Sequence, residues 1–169
     1  MKRHKFHHYI FYALLALMLT SLLAGCGFQL KQRSALPASF GPVSIQGVST
    51  FSSLYRALRS ALRQSSINIV EDTAASHSIH IKPSRERKVL SVNAAGKVSE
   101  YELIQRLNYH VTSSSGTMLI DSTRLSRSSY YTVSSTEVLG DSTEENEVYK
   151  RLEEDLINQM FDQISAALK

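Results

Sequence analysis

The chain has one cysteine, no tryptophan and three prolines in 169 residues. A single cysteine excludes a disulfide framework within the chain and any cysteine-rich zinc site. Sparse proline, with 43% hydrophobic and 20% charged residues, excludes wholesale disorder. No apolar run reaches the ~20 residues of a spanning helix. What remains is a length that suits one domain and a formal charge of +4. A basic balance raises nucleic acid as a partner, but the position of the charges changes that reading.

Residues 1–8 carry Lys2, Arg3 and Lys5 and no acid. From Tyr9 to Leu23 the chain is apolar apart from Thr20 and Ser21, and Leu23-Ala24-Gly25-Cys26 follows. A basic start, a short apolar stretch and small residues before a cut describe a secretory signal peptide. The four residues resemble the lipobox of bacterial lipoproteins, in which the cysteine takes a diacylglycerol and becomes the new, acylated amino terminus. Several acyl chains anchor stably where one does not, because each buried CH₂ contributes about 0.8 kcal/mol. Gly27 rather than aspartate follows Cys26, which resembles the sorting pattern for outer-membrane delivery. The expected organisation is a removed signal peptide at 1–25, a lipidated lead at 26–42 and a single domain at 43–169.

Removing 25 residues from 169 leaves 144, enough to bury a core without staples. Val43 to Val48 alternates as a strand does, and Ser52 or Ser53 offers a cap to a helix with Leu54, Leu58 and Leu62 on one face and Arg56, Arg59 and Arg63 on another. Ile67 to Val70 reads as a second short strand, and Ser78 to Lys82 as a third that Pro83 interrupts. Arg85-Glu86-Arg87-Lys88 leads into Val89–Val92, and Asn93-Ala94-Ala95-Gly96 reads as a hairpin turn.

Lys97 to Val111 has period two, with Tyr101, Leu103, Leu107, Tyr109 and Val111 on one face. Ser113-Ser114-Ser115-Gly116 makes the next turn, and Thr117 to Val133 is another long strand. From Gly140 the period becomes 3.6: Ser142 to Glu145 resembles a capping box, and Val148, Leu152, Leu156, Met160, Ile164 and Leu168 share a helical face. Two helices against one mostly antiparallel or mixed sheet make an α+β two-layer sandwich.

Without residues 1–25 the charge falls to +1 and splits. Residues 27–127 hold thirteen basic and six acidic side chains, and residues 128–169 hold three and nine. A secretory address argues against nucleic acid and for an anionic glycolipid, whose phosphates want Arg and Lys and whose acyl chains want an apolar strip. Arg85, Arg87, Lys88 and Lys97 come first as candidates, since the hairpin draws their strands together, whereas Arg124 and Arg127 fall on opposite faces of theirs. The arginines of the first helix read as a solvated face. No metal site, resident cofactor or enzymatic motif is expected. His77 and His80 lie on opposite faces of one strand, and there is no Gly-x-Ser-x-Gly elbow, His-Glu-x-x-His run or phosphate loop.

The stretch Leu-Leu-Ala-Gly-Cys-Gly-Phe-Gln-Leu at 22–30, the helix segment Leu54-Tyr55-Arg56-Ala57-Leu58-Arg59 and the hairpin Ala95-Gly96-Lys97-Val98-Ser99-Glu100-Tyr101-Glu102-Leu103, followed by an acidic-capped final helix, together resemble the LptE family of lipopolysaccharide-assembly lipoproteins. The resemblance implies two helices on a four-stranded sheet. It also implies a place inside LptD, a large outer-membrane β-barrel, as a plug on the periplasmic side. There the family binds lipopolysaccharide, assists its insertion into the outer leaflet and assists assembly of the barrel. The basic residue it places just before the turn glycine is replaced by Ala94 and Ala95 here, leaving Lys97 as the nearest cation, and a second basic position matches Arg124. The competing expectation is a periplasm-facing lipoprotein that binds peptidoglycan or a transporter component.

Overall fold

A computed structural model describes residues 35–133 and 141–168. In chain order the elements are β1 (Val43–Gln46), α1 (Ser53–Gln64), β2 (His77–Val92), β3 (Val98–Ser113), β4 (Met118–Thr132) and α2 (Asp141–Ala167). The four strands form one sheet in the order β1-β2-β3-β4. β1 and β2 run parallel, joined through α1, and the other neighbours are antiparallel hairpins. The expected α+β two-layer sandwich is the architecture found.

Each element has a local cause. Ser52 Oγ accepts the Tyr55 N–H at 3.1 Å and starts α1, which buries Leu54, Leu58 and Leu62. The Asn93 side chain accepts the N–H groups of Ala95 and Lys97, and Gly96 takes φ +75, closing the β2–β3 hairpin. Leu103, Leu107, Tyr109 and Val111 are buried on one face of β3, as period two requires. α2 buries Val148, Leu152, Leu156, Met160 and Ile164 against that same face, with Ile157 and Phe161 beside them. Leu36 and Phe40, from the stretch read as a lead, are also core residues. The final helix already begins at Asp141, so Ser142, the expected cap, lies one residue inside α2 rather than at its cap.

The strand expectations need three corrections. The first strand stops at Gln46 rather than Val48. Ile67–Val70 makes only one bridge, Ile69 to Val43, because the chain leaves the sheet for a single 3₁₀ turn at Asp72–Ala74. Pro83 does not interrupt β2, which runs unbroken from His77 to Val92. The reason is topological: β1 pairs with β2 only as far as His80, so Pro83 sits where the outer edge of β2 has no neighbour to receive an N–H.

Tyr109 shows what burial does to a titrating group. Its hydroxyl donates to Gln163 Oε1 on α2, and burial pushes its pKa up to about 12. The folded state therefore favours the neutral phenol. Its contribution to stability is complete below the ordinary value of about 10 and is lost as pH rises toward 12. Alkaline unfolding monitored by circular dichroism should lose that limb of its pH dependence in Tyr109→Phe.

Candidate functional site

The five candidate cations do not form one cluster. Counting by twos from Ile79 and Ile81, both buried under the helices, places Arg85 and Arg87 on the helix-covered face and Lys88 on the open face. Arg85 Nη2 donates to Glu153 Oε1 at 2.8 Å and to Ser53 Oγ at 3.1 Å, its Nε donates to Gln105 Oε1, and its guanidinium stacks 4.5 Å over Tyr149. Arg87 pairs with Glu145 at 3.2 Å and lies over the Tyr101 ring. Both arginines tie the sheet to α2.

Sequence reading missed their partners. Gln105 is fully buried and Glu153 is 2% exposed. They form a polar crosspiece between two apolar clusters, the larger around α1 and the smaller formed by Leu103, Tyr131, Val148, Tyr149 and Leu152. Parity along β2 was the available signal for Arg85 and Arg87. Nothing local marks Glu153, which is 68 residues from Arg85. Tyr149 also reaches the sheet: its hydroxyl donates to the Glu86 carbonyl at 3.0 Å, and burial raises its pKa.

The open face carries Lys88 and Arg124. Lys88 lies 3.9 Å from Glu102, Arg106 pairs with Glu86 at 2.6 Å, and Arg124 Nε donates to Asn108 Oδ1 at 2.9 Å. Glu102 opposes Lys88 and Asn108 opposes Arg124, so these two cations stand six residues apart along β3, about 20 Å. They belong to separate places on the face. At the near end of the sheet His80 and His110 pair in register and stack 4.3 Å apart. Burial, then the neighbouring imidazole, lowers the His80 pKa, and Asp72 opposes this. Among the described residues no group of three or more His, Cys, Asp or Glu side chains is placed to hold a metal.

The far end of the β2–β3 hairpin is different. Val89, Leu90 and Val92 are exposed there, as is Tyr130 on β4, at 70%. Register slips between Val89 and Ser91 and again before Val92, which twists this end of the strand. Lys88 precedes these residues along β2 and Lys97 follows them at the turn, and both are exposed. An exposed apolar strip bracketed by cations suits an amphiphile that carries phosphates. Cys26 lies outside the described residues.

A family model described as lipopolysaccharide-assembly, LptE, matches residues 40–164. The chain belongs to the LptE family. The LPS-assembly lipoprotein LptE of Pectobacterium atrosepticum is 32% identical over 100 residues, covering 57% of this chain and 53% of its own. That of Photorhabdus laumondii is 30% identical over 107 residues, covering 62% and 59%. The matched region thus spans between half and three-fifths of these curated relatives. Among solved structures, lipoprotein B of Nitrosomonas europaea superposes with TM-score 0.63 at 24% identity, over 83% of this chain and 91% of that one. Rare lipoprotein B of Shewanella oneidensis gives 0.57 at 24%, over 75% and 92%. Both likenesses bear on the fold: the LptE-family sandwich is shared although three residues in four differ.

Proposed function

We propose that this chain is an outer-membrane assembly lipoprotein, not an enzyme, anchored through acyl chains on Cys26. In this reading it sits on the periplasmic side as a plug within the LptD β-barrel, binds lipopolysaccharide, assists its insertion into the outer leaflet and assists assembly of the barrel. The observation that carries the lipid part is the distal hairpin, where exposed Val89, Leu90 and Val92 lie between Lys88 and Lys97. Phosphate oxygens would take charge-assisted hydrogen bonds from the two ammonium groups, and acyl chains would cover the apolar strip. Arg124 contributes a separate contact on the open face. Arg85 and Arg87 act only by holding the sheet against α2.

The double variant Lys88→Glu/Lys97→Glu is expected to weaken lipopolysaccharide binding at least tenfold, about 1.4 kcal/mol. Both side chains are exposed, so the fold should be unaffected. Binding of labelled lipopolysaccharide to the folded double variant at wild-type strength would exclude the hairpin as the site.

A further inference from the structure

The arginine stripe of α1 has no part in that reading, and its surroundings are specific. α1 ends in a reversal: Ser66 takes φ +60, its N–H donates to the Arg63 carbonyl at 2.9 Å, and the Ile67 N–H donates to the Leu62 carbonyl at 2.9 Å. This is a Schellman closure with serine in the usual glycine place. It sends Ile67–Val70 back beside β1. There the Val43 N–H donates to the Asn68 carbonyl and the Val70 N–H donates to the Val43 carbonyl, both at 2.9 Å. In parallel pairing of this kind, the N–H and C=O of Ile69 point the opposite way, out from the sheet edge. Between that edge and α1 runs an open groove of about 670 Å³, walled by Tyr55, Arg59 and Arg63 and floored by Ile67 and Ile69.

We propose that this groove takes an extended acidic segment of a partner protein as an added strand. The N–H and C=O of Ile69, which meet no partner among the described residues, would pair with the incoming backbone, which is how a sheet edge recruits a peptide. Arg59 and Arg63 supply the selectivity. They are exposed, and no ion pair joins either to another described residue. Four residues along a helix rise about 6 Å. Two residues along a strand advance about 6.6 Å. Carboxylates at alternate positions of a peptide, on one face of its strand, therefore meet the two guanidinium groups in step. α1 joins two parallel strands and so returns along the strand axis. Arg over Lys fits the role, because a guanidinium fork holds a carboxylate bidentately. A phosphate-bearing lipid would satisfy the arginines but would leave the Ile69 edge unpaired.

The test uses the full chain in detergent micelles and two labelled eight-residue peptides read by fluorescence anisotropy. One alternates glutamate and threonine; the other alternates glutamate and proline, with the same charge but no N–H on alternate residues. The first should bind at least tenfold more tightly than the second. Arg59→Glu/Arg63→Glu should remove that preference, while Lys88→Glu/Lys97→Glu should leave it intact. Equal binding of the two peptides would show charge attraction without strand addition and would overturn the proposal. So would undiminished binding in the arginine double variant, or phosphatidylglycerol vesicles displacing the threonine peptide through the same two arginines. The peptide comparison on the unaltered chain does not depend on any variant folding.

Discussion

Arg85→Ala is expected to lower the free energy of unfolding by about 3 kcal/mol, the low end for breaking a buried ion pair. The low end applies because the Arg85 side chain is 39% exposed while that of Glu153 is 3%. Without Arg85, the Glu153 carboxylate keeps only the Ser53 hydroxyl, at 3.2 Å, and its second oxygen already lacks a partner among the described residues. The carboxylate then stays charged in a nearly dry place or takes up a proton, and either outcome costs stability. Urea unfolding reads the difference. Arg85→Met/Glu153→Met should recover most of the loss, because removing both charges removes the uncompensated one. A single variant as stable as the parent would show that the crosspiece does not hold the helices to the sheet. The same result bears on function: reduced lipopolysaccharide binding in an Arg85 variant should follow its loss of fold.

Gly47→Ala should be comparably damaging, at about 3 kcal/mol, and its comparison with Gly96→Ala separates the causes. Both glycines have positive φ, +80 and +75. Either substitution forces an L side chain into the left-handed region, at roughly 1 kcal/mol. At Gly96 nothing lies within 4 Å of the added methyl, whereas at Gly47 the methyl would sit inside 3.0 Å of the Ile81 carbonyl oxygen. That oxygen is backbone of β2 and cannot rotate away, so the strand must shift, adding typically 1–3 kcal/mol. The two variants should therefore differ by about 2 kcal/mol in urea unfolding. Equal losses would mean that the chain leaving β1 does not press on β2.

Much of this fold was legible because its signals are local. Tyr101, Leu103, Leu107, Tyr109 and Val111 alternate with only Gln105 between them out of character, and that alternation gives the strand, its buried face and the long final helix's docking surface. Asn93 and Gly96 announce their turn by chemistry that acts over four residues. Ile67–Val70 misled because alternation reports which residues can sit in a strand, not whether a neighbour is long enough to pair with them. β1 has four residues, and the closure at Ser66 aligns only Ile69 with it. The candidate site was legible only in part for a related reason. Arg85, Arg87, Lys88 and Lys97 are close in sequence, and closeness suggested a shared surface. Strand parity divides them, and the acids that engage the two arginines, Glu145 and Glu153, arrive from the last helix. Gln105 shows the same limit: within β3 it is a polar break in an apolar face, and only α2 and β2 together give it a reason. The exposed strip at Val89, Leu90 and Val92 reads in sequence as ordinary strand. It becomes a candidate contact because neither helix extends over it.

The most direct test of the account is to purify the full-length chain, tagged at its carboxy terminus, from mildly solubilised outer membranes. The expected result is stoichiometric co-purification with a large β-barrel protein, together with a mass for the tagged chain that corresponds to acylation at Cys26 and loss of residues 1–25. Recovery of the folded chain without a barrel partner, or with an unmodified Met1 terminus, would contradict the account.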